Sequence, residues 1–461
     1  MLRYFIMLID THCHLDFKDF DGDRDEVIDR AKAKGIEKII NVASSIEGTR
    51  RAVELAAKYD MIYASVGVHP HDAKAVTDKV ISDFKALAKE KKVVAVGEVG
   101  LDYYRNLSPK EEQISAFKRF IYLARDLNLP LIIHSREAHR EALDILAKEN
   151  KNGIGAVMHC FAGDGDFLKR CLDLGLYISF TCSLTFKNAK SLREVAKTMP
   201  IERLMLETDA PFLAPQEFRG KRNEPAYLTY LVDEWSKILG LSKEDIARIT
   251  THNANSFFRL KLDERSKIAY EIRDSLYLNI TNRCTNKCDF CVRNQTSFVK
   301  GHNLKLDREP ALDEIIEAIG DPRRYKEIVF CGYGEPTARL DVVKAIAKDL
   351  KLKGAKIRIV TNGHGDLINK RPIVKELIGL VDRVSVSLNA ETESKYDEIC
   401  KPEFGPQTYK KILDFIRECA RNKIETEVTC LTLPEIDVKK CEAIAKSLGA
   451  RFRLRSYGVV G

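Results

Sequence analysis

The sequence has no apolar run long enough to cross a membrane, no low-complexity segment and no short-period repeat. Its apolar start, residues 1–9, is much shorter than the roughly 20 apolar residues of a spanning helix, and it lacks the layout of a secretory signal. We therefore expect no membrane association. These absences favour a globular chain in the cytoplasm.

Cysteine is present, but not in the arrangement of a secreted disulfide scaffold. Twelve cysteines are spread over 461 residues, and only three of them cluster tightly. Charged residues make up 31% of the chain, and its formal net charge is +8. A chain of this length and composition is expected to form two domains in a reducing compartment. The modest positive charge permits a polyanionic partner without requiring one.

Short apolar, β-branched runs alternate with amphipathic stretches in the first half of the chain. They cover residues 8–12, 38–42, 62–68, 93–98, 131–134, 156–159, 177–181 and 204–207. Such runs predict buried parallel strands, and eight strand–helix alternations predict an α/β fold with a closed (βα)8 barrel of TIM type. Within it, Ser108-Pro109-Lys110-Glu111 has the pattern of a capping box and predicts a helix start.

A second alternation follows a charged stretch. Its predicted strands cover residues 276–280, 327–330, 356–361, 383–388, 425–431 and 451–455. Six strands favour an open, partial (βα)6 barrel. The charged stretch lacks glycine and proline and is expected to be an ordered linker. We predict a first domain at 1–260, a linker at 261–275 and a second domain at 276–461.

Side chains able to bind metal stand at the ends of five predicted strands. They are His12, His14, Glu98, His134, His159 and Asp209. Because the carboxyl ends of barrel strands meet at one rim, we expect these groups to converge there. A single buried histidine is more often a polar core residue, but five strand ends that each carry a ligand argue for a site.

The mixture of imidazole and carboxylate groups indicates which ions the site would accept. It suits zinc, manganese, cobalt or iron, and magnesium where oxygen ligands dominate. Six ligands exceed the four of a tetrahedral ion, which favours two ions. Two ions about 3.5–4 Å apart would activate a water and stabilise both oxygens of an in-line phosphoryl displacement.

The stretches around these groups resemble the TatD family of metal-dependent deoxyribonucleases, in the amidohydrolase-like barrel superfamily. The resemblance covers about residues 7–260. The matching stretches are Asp10-Thr11-His12-Cys13-His14-Leu15-Asp16, Gly67-Val68-His69-Pro70-His71, Gly97-Glu98-Val99-Gly100-Leu101-Asp102-Tyr103, Ile133-His134-Ser135-Arg136, His159-Cys160-Phe161, Glu207-Thr208-Asp209-Ala210-Pro211-Phe212 and Arg219-Gly220-Lys221-Arg222-Asn223-Glu224-Pro225.

This resemblance divides the predicted ligands between two divalent ions, which would be Mg, Mn or Zn. It implies that His12, His14 and Asp209 hold one ion. The other ion would be held by His134 and His159, with Glu98 bridging both. Asp209 would also accept the proton of the metal-bound water, as a general base must lie within hydrogen-bond reach of it.

Basic side chains are the predicted contacts to substrate. His69, at the end of the third strand, is expected to contact phosphate, although a structural histidine beside Pro70 is the alternative. The loop after the last strand carries Arg219, Lys221 and Arg222. Such side chains bind nucleic-acid phosphates, and this loop is a common phosphate site in these barrels. The alternative is that this loop is only a solvated surface segment. DNA is the predicted partner of the protein.

The three clustered cysteines follow the first strand of the second domain. Cys284, Cys288 and Cys291 are spaced to bend round one corner of an iron–sulfur cube. No fourth cysteine stands nearby, which would leave one iron open. Zinc is the competing interpretation, but it requires further ligands, and only His302 is close in sequence.

These residues resemble the radical S-adenosylmethionine superfamily. Its C-x3-C-x-aromatic-C signature is met by the three cysteines with Phe290, and Cys331-Gly332-Tyr333-Gly334-Glu335-Pro336 matches its glycine–glutamate motif. The resemblance implies a 4Fe-4S cluster whose open iron binds S-adenosylmethionine, and a one-electron donor of ferredoxin or flavodoxin type. Reduction would release a 5′-deoxyadenosyl radical. The implied S-adenosylmethionine contacts are Phe290, Gly332, Gly334, Glu335, Asn362, Ser387 and Asn389.

The two halves together resemble TatD-linked radical S-adenosylmethionine proteins. The predicted function is bifunctional: two-metal hydrolysis of DNA phosphodiesters, joined to a radical domain of unknown substrate. An alternative keeps both folds but makes the first substrate a small-molecule or peptide amide or ester, handled in sequence with the radical product. Fold does not choose between these chemistries. A third interpretation makes the first barrel a binding platform. No oligomeric state is predicted.

Overall fold

The structure is a computed structural model that describes residues 7–151, 153–262 and 265–455. The chain divides into two compact units, and the first unit ends at Leu262. Residues 1–6, 152, 263–264 and 456–461 of the predicted domains and linker lie outside the described residues. Among the described residues, no helix has both the length and the apolarity needed to cross a bilayer.

The first unit contains the predicted eight-stranded parallel sheet. Its strands pair in chain order, so each strand is hydrogen-bonded to the next. The strands are β1 (Leu8–Cys13), β2 (Ile36–Asn41), β3 (Ile62–Val66), β4 (Val93–Asp102), β5 (Leu131–Arg136), β6 (Ala156–Met158), β7 (Tyr177–Phe180) and β8 (Leu204–Leu206). The prediction of a TIM-type barrel is confirmed.

Side-chain and backbone hydrogen bonds bring the first and last strands together. The buried carboxylate of Asp10 accepts from the backbone N–H of Thr208 at 2.9 Å and from its hydroxyl at 2.5 Å. Just above, Cys13 and Ala210 form a parallel bridge. These bonds connect β1 to the segment after β8, so that the strand ends surround one mouth.

Helices cover the outside of this barrel. They are α1 (Arg24–Ala33), α2 (Ile46–Lys58), α3 (Asp78–Leu87), α4 (Lys110–Leu127), α5 (His139–Glu149), α6 (Gly165–Asp173), α7 (Lys190–Ala196), α8 (Leu228–Leu239) and α9 (Lys243–Phe258). An apolar cluster joins Phe257 of α9 to side chains of the strands, among them Ile132 and Met205. Apolar side chains thus fill the region next to α9, and the polar candidate ligands lie at the carboxyl ends of the strands.

Two local predictions in this unit are wrong. Strand β4 does not end at Glu98 but continues to Asp102, with an irregular register between Val96 and Val99. Helix α4 does begin within one residue of its predicted start, at Lys110, but it has no side-chain cap, because the hydroxyl of Ser108 instead donates to the carbonyl of His71 at 2.7 Å. In the second case a partner distant in sequence replaces the local one.

The second unit is an open parallel sheet with an added edge strand. Its order is β17-β16-β15-β14-β13-β10-β9, and a separate two-stranded ribbon joins β11 and β12. The strands are β9 (Ala269–Ile272), β10 (Ser275–Leu278), β11 (Phe298–Val299), β12 (His302–Asn303), β13 (Glu327–Phe330), β14 (Ile357–Thr361), β15 (Arg383–Ser387), β16 (Glu425–Leu431) and β17 (Arg451–Arg455). The predicted partial (βα)6 barrel is confirmed.

Helices pack between these strands and bury one face of the sheet. They are α10 (Leu312–Ile319), α11 (Leu340–Leu352), α12 (Gly365–Asn369), α13 (Val374–Leu377), α14 (Glu393–Cys400), α15 (Gln407–Arg421) and α16 (Val438–Ser447). Their apolar faces form one core with the strands.

The segment predicted as a linker contains a strand. Residues Ala269–Ile272 form β9, which pairs antiparallel with β10. Tyr270 and Ile272 alternate inward and pack in a small cluster with Val299 and Leu304. This stretch is rich in charged residues, but buried and partly exposed residues alternate over the four residues of β9. The predicted domain boundaries themselves stay predictions.

Candidate functional site

The predicted metal ligands of the first unit come together at the carboxyl ends of the strands. The donor atoms of His12, His14 and Asp209 lie within 4.8 Å of one another, as do those of His12, Glu98 and His159. His134 joins them, because its Nδ1 lies 2.7 Å from Oε1 of Glu98. All six groups therefore surround one volume.

The first donor set has the spacing of ligands that share an ion. Nε2 of His12 lies 3.2 Å from Nε2 of His14. Oδ1 of Asp209 lies 3.4 Å from Nε2 of His14 and 3.8 Å from Nε2 of His12. Bonds of about 2.0–2.2 Å to one ion leave ligand atoms about 3–3.6 Å apart. The arrangement fits a divalent cation.

The two carboxylate oxygens of Glu98 face different imidazoles. Oε1 lies 3.1 Å from Nε2 of His159, in addition to its contact with His134. Oε2 lies 3.5 Å from Nε2 of His12 and 4.0 Å from Nε2 of His14. This is the geometry that a carboxylate between two ions would adopt.

In three of these imidazole rings, the nitrogen that points away from the centre is hydrogen-bonded to an acceptor. The pairs are Nδ1 of His14 with the carbonyl of Val42 at 2.8 Å, Nδ1 of His159 with Oε1 of Glu207 at 3.0 Å, and Nε2 of His134 with Oδ2 of Asp102 at 3.3 Å. An N–H that donates outward leaves the lone pair of the other nitrogen directed inward. Metal-binding histidines are oriented in this way.

Sequence reasoning missed the importance of Glu207 and Asp102. Glu207 is buried and accepts from the backbone N–H of Cys160 and from the hydroxyl of Ser179, both at 2.6 Å. Asp102 is equally buried, and its carboxylate also faces Nε2 of His71 at 2.9 Å. Both lie in the stretches that resemble the TatD family, but only the folded chain shows that they are hydrogen-bonded to the predicted ligands His159 and His134.

The carboxylates and imidazoles shift the pKa values of one another. Burial alone would lower the pKa of His14, but hydrogen bonding to Asp209 and the charges of Asp209 and Glu98 raise it to about 9. Burial opposes ionisation of Glu98, yet the charge of His159 and hydrogen bonds from His12 and His134 lower its pKa well below the usual range. The site is therefore strongly polar although it is buried, as charge-paired sites are.

His69 lies beside this centre with a different hydrogen-bonding pattern. Its Nδ1 accepts the backbone N–H of His71 at 3.2 Å, and burial lowers its pKa to about 3. A neutral ring that accepts at Nδ1 carries its proton on Nε2, which lies 3.7 Å from Oε1 of Glu98. His69 can therefore donate a hydrogen bond from Nε2 but cannot bind an ion there. The donor atoms of His69, Asp102 and His134 also lie within 4.8 Å of one another, but this proton argues against a third ion.

A cavity of about 730 Å³ opens over the centre. Its lining includes the aromatic rings of Phe17 and Phe212 and the exposed guanidinium groups of Arg105 and Arg136. The guanidinium of Arg136 stacks on Tyr104, 3.8 Å from the ring centroid. Sequence reasoning had not singled out these two arginines, although Arg136 ends a quoted motif.

The basic loop that was predicted to bind phosphate does not line this cavity in the described part of the chain. Arg222 forms a two-pronged ion pair with Asp23, at 2.7 and 2.6 Å, and this pairing disfavours its predicted role as a phosphate contact. Arg219 lies over the ring of Phe186 at 4.4 Å, and Lys221 is exposed. The charge of Arg222 is already paired within the barrel.

In the second unit, the cysteine loop begins just after β10. Cys284, Cys288 and Cys291 are all partly exposed, and the charge of Cys288 acts on the thiols of the other two. Among the described residues, the three sulfurs are not all within 4.8 Å of one another, as the ligands of one zinc ion would be. His302 is instead hydrogen-bonded to the carbonyl of Glu271 at 3.2 Å. The thiols therefore fit a cluster better than a single zinc ion.

Glycines at the end of β13 pack against the start of this loop. A Cβ at Gly332 would lie 2.2 Å from Oδ1 of Asn279, and one at Gly334 would lie 2.4 Å from the carbonyl of Arg283. Glycine is thus required there by contact with the chain itself. Any role in holding S-adenosylmethionine would be additional.

The other predicted cofactor contacts also lie at the carboxyl end of this sheet. Glu335 is buried and accepts from Thr337 N–H, Thr337 Oγ1, Thr361 Oγ1 and Asn362 N–H, at 2.6 to 3.0 Å. Ser387 ends β15, and Asn389 follows it in the left-handed region with φ 58°. Phe290 packs against the core. Glu335 therefore joins β13 to β14, and only part of its acceptor capacity is left for a ligand.

Comparisons with known proteins agree with this division. Residues 9–259 match the family of TatD related DNases, and residues 278–448 match the radical SAM superfamily. An uncharacterized metal-dependent hydrolase of Bacillus subtilis, YabD, is 44% identical over 254 residues, which are 55% of this chain and 100% of that protein. A Klebsiella pneumoniae protein named 3′-5′ ssDNA/RNA exonuclease TatD is 35% identical, over 56% of this chain and 99% of its own length.

A solved structure gives the same result for the fold. YjjV, a TatD homolog of Escherichia coli K12, is 31% identical and superposes with a TM-score of 0.52, over 55% of this chain and 98% of its own. The predicted resemblance to both families is confirmed. The chain therefore belongs to the TatD-related DNase family of metal-dependent hydrolases, and it carries a radical SAM domain fused to that hydrolase.

Proposed function

We propose that the first unit hydrolyses phosphodiester bonds of DNA with two divalent ions. One ion would be held by His12, His14 and Asp209. The other would be held by His134 and His159, and Glu98 would be a ligand of both ions. The observation that carries this proposal is the carboxylate of Glu98, whose two oxygens face different imidazoles at 2.7 to 4.0 Å.

The ions, when bound, would lower the pKa of a water and neutralise charge on the phosphate oxygens. Asp209 lines the cavity, and His14 and the neighbouring imidazoles lower its pKa against the effect of burial. It is therefore an ionised carboxylate that can accept the proton of the attacking water. Nε2–H of His69 can donate to a phosphate oxygen. Arg105 and Arg136 supply positive charge at the cavity wall.

DNA is the proposed substrate for two reasons. The cavity combines exposed arginines with aromatic rings, the two groups that single-stranded nucleic acids contact. A relative that matches the whole hydrolase unit is named an exonuclease for single-stranded DNA and RNA. Phosphate binding by Arg219 and Lys221 stays a secondary prediction, outside the cavity.

The test is release of nucleotides from single-stranded DNA by the full chain. We expect activity with Mg²⁺, Mn²⁺ or Zn²⁺ and none with a chelator. Asp209→Asn should lower the rate about 10²-fold to 10⁴-fold, the usual contribution of a general base. The control is Asp72→Asn, an exposed carboxylate that lines the same cavity. An active Asp209→Asn variant would exclude this role, and inactivity of the parent with every ion would refute the nuclease proposal.

A second candidate substrate is a small-molecule or peptide amide or ester. The cavity volume of about 730 Å³ lies within the roughly 300–1,000 Å³ of small-molecule sites. The same metal centre would activate water against a carbonyl carbon. Hydrolysis of chromogenic amides and esters with no release of nucleotides would favour this candidate.

For the second unit, we propose that Cys284, Cys288 and Cys291 hold a 4Fe-4S cluster that binds S-adenosylmethionine and receives electrons from a ferredoxin or flavodoxin. The support is that all three thiols lie on one partly exposed loop. Bound there, the cluster would supply one-electron cleavage of S-adenosylmethionine. The test is anaerobic reconstitution with iron and sulfide, followed by measurement of 5′-deoxyadenosine.

A further inference from the structure

A buried hydrogen-bond network lies under the cysteine loop, and the radical SAM signature does not include it. Its centre is His364, which follows the Thr361-Asn362-Gly363 stretch at the end of β14 and is fully buried. Nδ1 of His364 lies 2.8 Å from the hydroxyl of Thr285, and Nε2 lies 2.9 Å from the phenol oxygen of Tyr396. Both ring nitrogens are thus used.

The network contacts the segment between the first two cysteines at two points. Thr285 receives a hydrogen bond from Nδ2 of Asn362 at 3.1 Å, besides its bond with His364. Asn286 donates from Nδ2 to the phenol oxygen of Tyr396 at 2.9 Å. The side chains of two consecutive loop residues are therefore fixed by groups from the segment after β14 and from α14.

The backbone of the same loop is fixed by the end of α14. Lys287 N–H donates to the carbonyl of Cys400 at 3.0 Å, and Asp289 N–H donates to the carbonyl of Ile399 at 3.0 Å. Glu403 N–H donates in turn to the carbonyl of Thr285 at 2.9 Å. The backbone of the loop is thus fixed by the end of α14 and by the residues just after it, and Tyr396 lies on that helix.

His364 is neutral in this environment, because burial lowers its pKa to about 4. A neutral imidazole has one N–H and one lone pair. One of the two hydroxyls must therefore donate to the ring while the other accepts from it. Loss of either hydroxyl would leave a buried ring nitrogen unpaired, which costs free energy.

We infer that His364 and Tyr396 are positioning residues for the cluster, and that they hold Thr285 and Asn286 so that Cys284 and Cys288 are pre-arranged as ligands. This inference rests on the proposed cluster ligands. The phenol of Tyr396 is also close enough for the charges of Cys284, Cys288 and Cys400 to act on it. Hydrogen bonding and polarity near cluster sulfurs set the reduction potential, so the network should also affect that potential.

The test compares two tyrosines of one core in the full chain. Tyr396→Phe removes only the oxygen shared by His364 and Asn286. The control is Tyr409→Phe: this ring lies 5.7 Å from that of Tyr396 and is buried, but its hydroxyl donates to the carbonyl of Ala390 at 3.1 Å. The parent and both variants are reconstituted anaerobically, and loss of cluster iron to a chelator is followed by absorbance.

We expect Tyr396→Phe to lose iron about 10-fold faster than the parent, the lower end of the effect of removing a group that orients metal ligands. The reduced cluster should also show a changed electron paramagnetic resonance spectrum and a shifted midpoint potential, which general destabilisation would not produce. Tyr409→Phe should behave as the parent. His364→Gln, which keeps a donor and an acceptor, should retain more of the cluster than His364→Leu.

The outcomes distinguish this inference from the proposal that the three cysteines hold a cluster. If the parent binds a cluster and Tyr396→Phe matches it in iron loss, spectrum and potential, the positioning role is overturned. The same holds if both tyrosine variants change equally. If the parent binds no cluster, both the proposed ligands and the inference fall.

Discussion

The metal centre of the first unit and the loop support of the second place buried histidines in opposite electrostatic surroundings. His14 is 3% exposed and His364 is fully buried. Beside carboxylates, the pKa of His14 rises to about 9; beside neutral hydroxyls, that of His364 falls to about 4. The difference shows that burial alone does not decide the charge of an imidazole, because the charge of its partners can reverse the effect.

The two regions also differ in what holds their ligands. Five of the six proposed imidazole and carboxylate ligands lie on barrel strands or within two residues of a strand end. The sixth, Asp209, follows β8 by three residues, and its backbone N–H donates to the carbonyl of His12 at 2.8 Å. The cysteines lie on a loop, which needs bonds from other elements to keep its shape. Sites on strands are held more firmly than sites on loops. The hydrolase centre should therefore tolerate changes in the second unit, and the loop should depend on its neighbours.

The strongest test of this separation is Cys288→Ser. We expect complete loss of the brown colour and of 5′-deoxyadenosine formation, because one of three proposed cluster ligands is removed. Metal-dependent hydrolysis should be unchanged, since the proposed metal ligands all belong to the first unit. Iron analysis and nucleotide release, measured on the same preparation, check both statements. Equal loss of both activities would contradict the independence of the two sites.

A smaller effect is expected for Glu207→Gln in the first unit. The amide still fills the space, but it weakens the acceptor for Nδ1 of His159 and removes a negative charge. Metal affinity should fall about 10-fold to 100-fold, as measured by activity against the concentration of free Mn²⁺. Glu217→Gln, on an exposed 3-10 turn, is the matched control. Unchanged affinity would mean that Glu207 does not orient the ligand.

The neutral state of His364 predicts a pH dependence for the second unit. Its pKa is about 4 when folded and 6.5 when unfolded, so below pH 6.5 protons bind preferentially to the unfolded chain. Stability should be full above pH 6.5 and fall as the pH drops to 4, with about 2 kcal/mol lost by pH 5. Calorimetry of the parent and His364→Gln before reconstitution would measure this. An equal pH dependence in the variant would refute it.

The smallest effects concern the arginines of the first unit. Arg136→Met should reduce the salt dependence of DNA binding by about one unit of slope, as loss of one phosphate contact does. Arg222→Met should leave that slope unchanged, because its guanidinium is paired with Asp23. Binding titrations over a range of salt concentrations compare them. The opposite pattern would restore the loop after β8 as the phosphate site.

The fold was predictable where a local pattern repeats. Apolar, β-branched runs have the same meaning in each strand, so all eight barrel strands appear near their predicted positions. Predictions that depended on a single local signal did worse. Ser108 has a helix-cap pattern but bonds to His71, and the charged stretch before β10 contains β9. In each case a contact from elsewhere in the chain outweighed a local preference.

By itself, the sequence determined the barrel class, the six converging candidate ligands and the cysteine triplet, because strand periodicity and the spacing of these residues are local properties that survive folding unchanged. Only the tertiary structure decided which groups orient those side chains and which basic side chains remain available to bind phosphate. Glu207 meets His159, Tyr396 meets Asn286 and Asp23 pairs with Arg222 across long stretches of chain. Hydrogen bonds and charge pairs of this kind act over a few ångströms, and no sequence spacing encodes which partners folding will bring that close.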